Sequence, residues 1–534
     1  MGGSKPAAGH VFVVKADVTT MTCDAWLCPT DQGFSITADF APALGLGAPR
    51  KLSGYDWKRR KAIAFRDPKA SPSPKALKGS QDPLVVLGNV GKRYPKSDEE
   101  IRSHVEGLRP VISEFSEVAR AEIRPPEGRL LRLALPLIGT GRGGLAGVKG
   151  DVIEPLIDEL NERARQDQVD FVLCTIRDVD WSAVQSVREG SDWPLTDEEE
   201  QWAVALANKA RTQSLVLFVG AGVGHDAGLP DWKELLEQLC PSWIPKEDRE
   251  VLSRLDNRDY ATLIERELGG PHQTLQRLRD IIGSYRKVGL THALLASLGV
   301  RQAVTTNYDE LFEQACTTPL KPADECITVL PYDRVEEGRP WLLKLHGSIG
   351  HDSKLGLTAS TNRVVLTRSD YMALARERSA LFGIVQALLV TKHLLFVGYS
   401  LSDEDFHQLV EEIRLAISPE AIDPSSRLGT VLTVTKWPLA EVWKDILNVR
   451  ELIGSNIEPV GRRQHIFLDR VAHLATPHDA YLLDSQFDKL LQPDERRIAE
   501  GLAAVQAIVD DILDDDPSNK TAEAVRKVLN RFGA

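Results

Sequence analysis

Short apolar runs alternate with helical periodicities along most of the chain. In the first 180 residues the runs are VFVVKA from Val11, a second β-like run after Asp24, PLVVLG over Pro83–Gly88, LRLALPL over Leu131–Leu137 and DFVLCTI over Asp170–Ile176. Runs of this length with helical patterns between them predict parallel strands joined by crossover helices. From Asp178 to Glu200 the pattern turns polar and acidic and ends on a helix cap at Thr196, which places a domain boundary there. A second series follows at Ser214–Val219, Arg301–Thr305, Trp341–Leu345, Arg363–Leu366, His393–Val397 and Thr430–Val434. These runs are β-branched or Leu-rich without alternation, as expected of strands covered on both faces, and they predict a doubly wound sheet. The most apolar long stretch, Ser379–Val397, is broken by Gln386, Lys392 and His393, so it reads as a buried helix and a buried strand rather than a membrane span. Beyond about residue 450 the pattern is helical and ends in two amphipathic segments separated by Pro517.

Composition narrows the class. A chain of 534 residues exceeds one ordinary core, so two or more domains are expected. The boundaries fall at 8–180, a linker over 181–200, 201–450 and a helical region over 451–534. An apolar share of 42% and a charged share of 27% are those of a soluble globular protein. A net charge of −12 argues against a general nucleic-acid surface, which needs clustered Lys and Arg. The six cysteines contain no C-x-x-C pair and read as reduced structural thiols of a cytoplasmic protein. MGGSKPAAGH has no apolar signal core, and Pro6 stands where a myristoylation signal wants Ser or Thr, so neither secretion nor lipidation is expected.

The candidate chemistry begins at SLVLFVGAGVGHDAGLPDWKELLEQL, where an apolar strand runs directly into Gly220, Ala221 and Gly222 and a helix follows. Strand, glycine turn and helix together make a pyrophosphate site, because glycines let backbone N–H groups approach the anion and the helix dipole favours its charge. An isolated G-x-G is more often only a tight turn. Here Gly220-Ala221-Gly222 followed by Ala227-Gly228-Leu229-Pro230-Asp231-Trp232 resembles the first NAD-binding motif of the sirtuin family, in its divergent bacterial branch. Gly224 stands where that family usually has Ser. Val304-Thr305-Thr306-Asn307-Tyr308-Asp309 resembles the family's Asn-Asp motif, Leu343-Lys344-Leu345-His346-Gly347-Ser348 its histidine segment, and Phe396-Val397-Gly398-Tyr399-Ser400-Leu401 its adenosine-side loop. All four motifs fall at predicted C-terminal strand ends.

The resemblance implies a Rossmann-like domain with NAD+ as substrate. Gly220, Ala221, Gly222, Gly228, Pro230, Asp231, Thr306, Gly398 and Ser400 would hold the nucleotide. His346 would act as general base on a ribose hydroxyl, for which an imidazole pKa near neutrality is well suited. Asn307 would orient the ribose or a water, and Asp309 either holds the loop geometry or caps a turn. Taken alone, a histidine at a strand end is more often structural; its place in the motif series reverses that preference. His292, on an apolar helical pattern, reads as structural, and His225 has no role beyond its loop. The two C-x-x-C pairs of protein-deacylating sirtuins are absent from the sequence, so no metal is expected. Water then becomes the favoured acceptor, and NAD+ hydrolysis to ADP-ribose and nicotinamide the first reading. The zinc-less domains it resembles are bacterial antiphage effectors, which implies an abortive-infection role. The alternatives are a non-catalytic NAD or ADP-ribose sensor regulating a partner, and an ADP-ribosyltransferase or deacylase.

The region 8–180 resembles a macrodomain, a three-layer α/β/α fold that binds ADP-ribose. Asp17, at the strand end within VFVVKADVTT, would contact adenine, and the loop Gly139, Thr140, Gly141, Arg142, Gly143 would take the phosphates. Pro29-Thr30-Asp31-Gln32 stands where hydrolytic macrodomains carry an Asn-rich segment, so binding of ADP-ribose or a cyclic relative is expected rather than its hydrolysis. A retained fold without a ligand fits the same residues. The implied assembly is a homo-oligomer, with room for a defence-system partner protein and with neither membrane nor nucleic acid bound.

Overall fold

The computed structural model describes residues 8–66, 82–91, 94–125, 129–141, 143–320, 323–351, 364–401, 404–416, 427–438, 440–454 and 460–534. They form two compact units. Described residues up to Pro194, with Thr476–Ala534, make the first; those from Leu195 to residue 454, with Val460–Ala475, make the second.

The first unit is built on β1 (Val11–Lys15), β2 (Ala25–Thr30), β3 (Ala62–Ala64), β4 (Leu84–Asn89), β5 (Leu131–Pro136) and β6 (Val169–Thr175), in the order β1-β6-β5-β2-β4-β3. Every pairing is parallel except that of β3 with β4. The apolar runs became strands because both faces are covered: all seven residues of β6 are buried. Residues 181–187, expected in a linker, instead continue a helix, Asp178–Val187, which buries Trp181, Ala183 and Val184. Its polar side chains serve the fold. Asp180 pairs with buried Lys149 at 2.7 Å, and Ser182 Oγ donates to the Pro477 carbonyl.

The second unit holds β7 (Leu215–Val219), β8 (Gln302–Thr305), β9 (Thr328–Leu330), β10 (Trp341–Lys344), β11 (His393–Val397), β12 (Gly429–Thr433) and β13 (Leu447–Glu451), in the order β9-β10-β8-β7-β11-β12-β13. All pairings are parallel. The chain leaves β7 toward β8 and later returns to its other side at β11, which puts a topological switch at β7, where doubly wound sheets bind ligands. Register decides the rest. Val219 pairs with Thr305 and with Val397, and Thr305 pairs with Lys344. The loops leaving β7, β8, β10 and β11 therefore start at one level.

Further features differ from the expected pattern. Of the candidate strand Arg363–Leu366, Val364, Val365 and Leu366 are buried but unpaired into any sheet, and they lead into the helix Arg368–Glu377; Arg363 lies outside the described residues. β9 and β13 were not anticipated, because β9 is only three residues long and β13 (LNVRE) is polar. The expected helical region divides between the units from residue 460 onward. The helix Arg462–Ala475 packs in the second unit, where Arg463 and Arg470 pair with Glu199 and Glu200 of the helix Asp197–Arg211, while Thr476–Ala534 belongs to the first unit. Among the described residues no helix is long and apolar enough to cross a membrane.

Candidate active site

A cleft of about 610 Å³ opens in the second unit at those strand ends. Of the residues singled out in the sequence, Ala221, Gly222, Pro230, Thr306, Asn307, Asp309, His346, Gly398 and Ser400 line it. Gly220, Gly228 and Asp231 do not. Their work is local: Gly228 ends the turn at φ +85°, and Asp231 caps the helix Trp232–Leu239, its carboxylate accepting from Glu234 N at 2.8 Å.

The glycines are required by a close approach of two loops. Gly220 N donates to Val397 O at 3.0 Å and Gly222 N to Gly398 O at 2.9 Å. A Cβ on Gly220 would sit 2.4 Å from Gly398 O, and one on Gly398, at φ +64°, would sit 2.4 Å from Val223 N. Gly224 has a similar explanation: a Cβ there would meet Leu229 Cδ1 at 2.6 Å, so the leucine occupies the space that a serine would need. The turn Ala221–Ala227 is braced from below by Asp226, whose carboxylate accepts from Thr291 N at 2.9 Å and lies 3.5 Å from His465 Nε2.

Asn307 is held by its own strand end. Thr305 Oγ1 donates to Val219 O at 2.8 Å and accepts from Asn307 N at 3.0 Å; Asn307 Nδ2 then donates to Gly220 O at 3.1 Å. One N–H of the amide is thereby committed and the amide oriented. Its Oδ1 is buried and has no partner among the described residues, a buried acceptor lining the cleft. Asp309 accepts from Leu311 N at 3.0 Å, the turn-capping role that was one of its two expected readings. Beneath it, the fully buried Lys344 donates to Glu313 Oε1 at 2.7 Å and to the Asp309 carbonyl.

His346 is almost fully buried, its ring edge-on to Tyr371 with centroids 5.4 Å apart. Its backbone carbonyl accepts from Val365 N at 3.0 Å, and Tyr308 Oη donates to Val365 O at 2.6 Å, so the segment mistaken for a strand braces both motif loops. Burial, with the Arg378 charge second, lowers the imidazole from the ordinary 6.5 to about 3. The near-neutral titration expected from sequence is thus displaced, and the ring is uncharged throughout the neutral range. His292 is fully buried with neither ring nitrogen hydrogen-bonded among the described residues, and desolvation holds it neutral, consistent with a packing residue.

Sequence reading missed Asp256, Asn257, Arg258 and Tyr371, which also line the cleft. Asp256 caps the helix Asn257–Leu268, which carries Asn257 and Arg258, and Tyr371 sits on the helix Arg368–Glu377; none belongs to a glycine motif and they carried no pattern. Trp232 and Tyr399 lay inside quoted motifs without being singled out. Among the described residues no group of three His, Cys, Asp or Glu is placed to hold a metal ion.

Residues 301–433 match the family described as SIR2-like domain, a span that includes the Asn307, His346 and Gly398 loops. The second unit carries a SIR2-like domain. Around it, 211 residues are 28% identical to the NAD(+) hydrolase ThsA of Acinetobacter baumannii (strain 532279), covering 39% of this chain and 41% of that protein. ThsA of Bacillus cereus (strain MSX-D12) is 28% identical over 209 residues, 38% of this chain and 40% of that protein. Defense-associated sirtuin 2 of Bacillus subtilis is 25% identical over 221 residues, 39% of this chain and 20% of that protein. The chain therefore spans about two-fifths of the length of the ThsA relatives it matches. The structure of Sir2Tm bound to a propionylated peptide aligns at a TM-score of 0.27 and 14% identity, covering 49% of this chain and 95% of that one. The SIR2-like match does not reach the first unit, where the expected ligand residues are dispersed in role. Asp17 Oδ1 accepts from Thr19 N and Thr19 Oγ1, capping a short turn. Thr140 Oγ1 donates to Leu137 O, Gly139 adopts φ +79°, Gly143 packs on Gly139, a Cβ on Gly141 would meet nothing, and Arg142 lies outside the described residues. A cavity of about 380 Å³ in this unit is lined instead by residues such as Gln32, Asn89, His104 and Leu108.

Proposed function

We propose that this chain is an NAD+ hydrolase of bacterial antiphage defence, acting in the cytoplasm and releasing ADP-ribose and nicotinamide. The observation that carries the reading is the buried, unpartnered Oδ1 of Asn307 in one cleft with His346 and the glycine loops. Similarity to proteins named NAD(+) hydrolase ThsA supports it. In this reading the Ala221–Gly222 turn and the 398–400 loop, which line the cleft, cradle the pyrophosphate, with the Ala221 N–H as a donor. Asn307 Oδ1 accepts a hydrogen bond from a ribose hydroxyl or from the attacking water. Cleavage leaves the electron pair of the C1′–N bond on nicotinamide, and the uncharged His346 takes the proton released as oxygen attacks the oxocarbenium-like carbon.

The test is purified full chain with NAD+, its products followed by chromatography, beside Asn307→Ala and His346→Ala. Equal release of nicotinamide and ADP-ribose, lost in both variants, is the expected result. NAD+ that binds and stays intact, including in infected-cell extract, would replace this reading with a non-catalytic sensor; a modified acceptor protein would make it a transferase.

For the first unit the proposal is an ADP-ribose-type or cyclic nucleotide signal, gating the second. The glycine loop after β5, turned by Gly139 at φ +79°, supports it. Calorimetric titration with ADP-ribose, and NAD+ consumption with and without it, tests binding and gating separately. A homo-oligomer completes the proposal, supported by Ile498, Val505, Ile508 and Ile512, exposed on the helix Pro493–Asp515. Light scattering of wild type and of Val505→Glu/Ile508→Glu reads it: a smaller species in the variant is expected.

A further inference from the structure

Part of the cleft wall is made of side chains that belong to none of the sequence motifs. The Tyr371 ring meets His346 edge-on at 5.4 Å between centroids and 79° between planes. The Arg258 guanidinium stands 5.6 Å from the centroid of that same tyrosine ring. Asp256 fixes the guanidinium, with Oδ1 3.1 Å from Arg258 Nε, and its Oδ1 is also 3.1 Å from Arg368 Nη2. Arg368 lies one turn before Tyr371 on the helix Arg368–Glu377, and its Nη2 donates to Asp259 at 2.8 Å. The start of that helix is itself fixed by a reciprocal cap between Thr367, which is fully buried, and Asp370, which is half-buried. The tyrosine is therefore clamped from two helices while its ring stands against the candidate base.

We propose that Tyr371, held by Arg258 and Asp256, sets the acceptor of the reaction by leaving room beside His346 for water and excluding larger oxygen nucleophiles. The inference rests on the hydrolase reading. The physical argument is steric and chemical together. Whatever attacks ribose C1′ must place its oxygen at that carbon and give its proton to the imidazole, so a rigid ring against the imidazole limits the bulk that the acceptor carries behind its oxygen. With water, the C1′–N bond breaks with its electron pair going to nicotinamide, a C1′–O bond forms, and the water proton leaves through His346. An alcohol follows the same balance and yields a 1-O-alkyl ADP-ribose.

The experiment incubates the full chain with NAD+ in dilute methanol or 1-propanol and measures the ratio of alkylated to free ADP-ribose. Wild type and Tyr371→Phe, which keeps the ring, should give low ratios. Tyr371→Ala should raise the ratio about ten-fold, more for 1-propanol than for methanol. Arg258→Met, which frees the ring without removing it, should give an intermediate ratio and serves as the second variant should Tyr371→Ala not fold. Loss of turnover without a change of ratio is what a merely structural residue would produce. An active chain whose ratio is the same in every variant overturns this inference alone; an inert wild type overturns the hydrolase reading, and this inference with it.

Discussion

Asn307 Nδ2 donates to the carbonyl of Gly220 at 3.1 Å, which ties the strand end after β8 to the glycine turn after β7. This bond orients the amide so that its oxygen, the chemically useful atom, is the one left without a partner. Asn307→Asp should therefore fail as fully as Asn307→Ala, because a carboxylate cannot donate to Gly220. Both should lower kcat roughly a hundred-fold or more with little change in circular dichroism. Steady-state kinetics on folded protein checks this; an active aspartate variant would remove the amide from the mechanism.

Lys344 and Glu313 form a buried ion pair under the Asp309 loop. Desolvation pushes the Glu313 carboxyl upward, and the lysine opposes that shift. Removing only the lysine leaves a buried acid uncompensated, so Lys344→Met should cost about 3–5 kcal/mol, while Lys344→Met with Glu313→Gln should recover much of that loss. Denaturant unfolding of the three proteins gives the comparison. Turnover should remain low in the double variant, since the donor to the Asp309 carbonyl is gone.

Gly398 and Gly383 make a matched contrast. Alanine at 398 meets a positive φ of 64° and a backbone nitrogen at 2.4 Å, so Gly398→Ala should lower the unfolding temperature and weaken NAD+ binding. Alanine at 383, exposed in the helix Ser379–Thr391, meets nothing within 4 Å and should stabilise by about 0.5–1 kcal/mol. Calorimetric scans of the two variants should move in opposite directions.

His346 titrates at about 3 when folded against 6.5 unfolded, so between those values the unfolded chain binds more protons. Its contribution to stability is complete above pH 6.5 and is lost as pH falls toward 3. His292, lowered by burial, acts in the same direction. The unfolding temperature should drop on going from about pH 7 to about pH 4.5, and His346→Gln should flatten that slope. NAD+ consumption should show no acid limb from His346 between about pH 5 and about pH 8.

The sequence made the strands that matter legible because both sheets are covered: β7 and β11 are buried at every position and so read as unbroken apolar runs. It misled where burial and strand formation part company. Val364–Leu366 is as apolar as a strand, yet its Val365 backbone is spent on His346 O and Tyr308 Oη rather than on a sheet partner. β13 was invisible for the opposite reason, since an edge strand needs partners on one side only and tolerates Asn448, Arg450 and Glu451.

What the sequence determined by itself was the order of glycine, asparagine and histidine motifs at successive strand ends, because each depends on local backbone needs. Only the tertiary structure decided which of those residues face the cleft. Asp231 and Gly228 turned out to serve caps, Tyr371 and Arg258 to form a wall, and His346 to lose its neutral titration through burial. Those outcomes come from desolvation and from contacts between segments far apart in the chain, such as Asp256 with Arg368, and no local pattern encodes them.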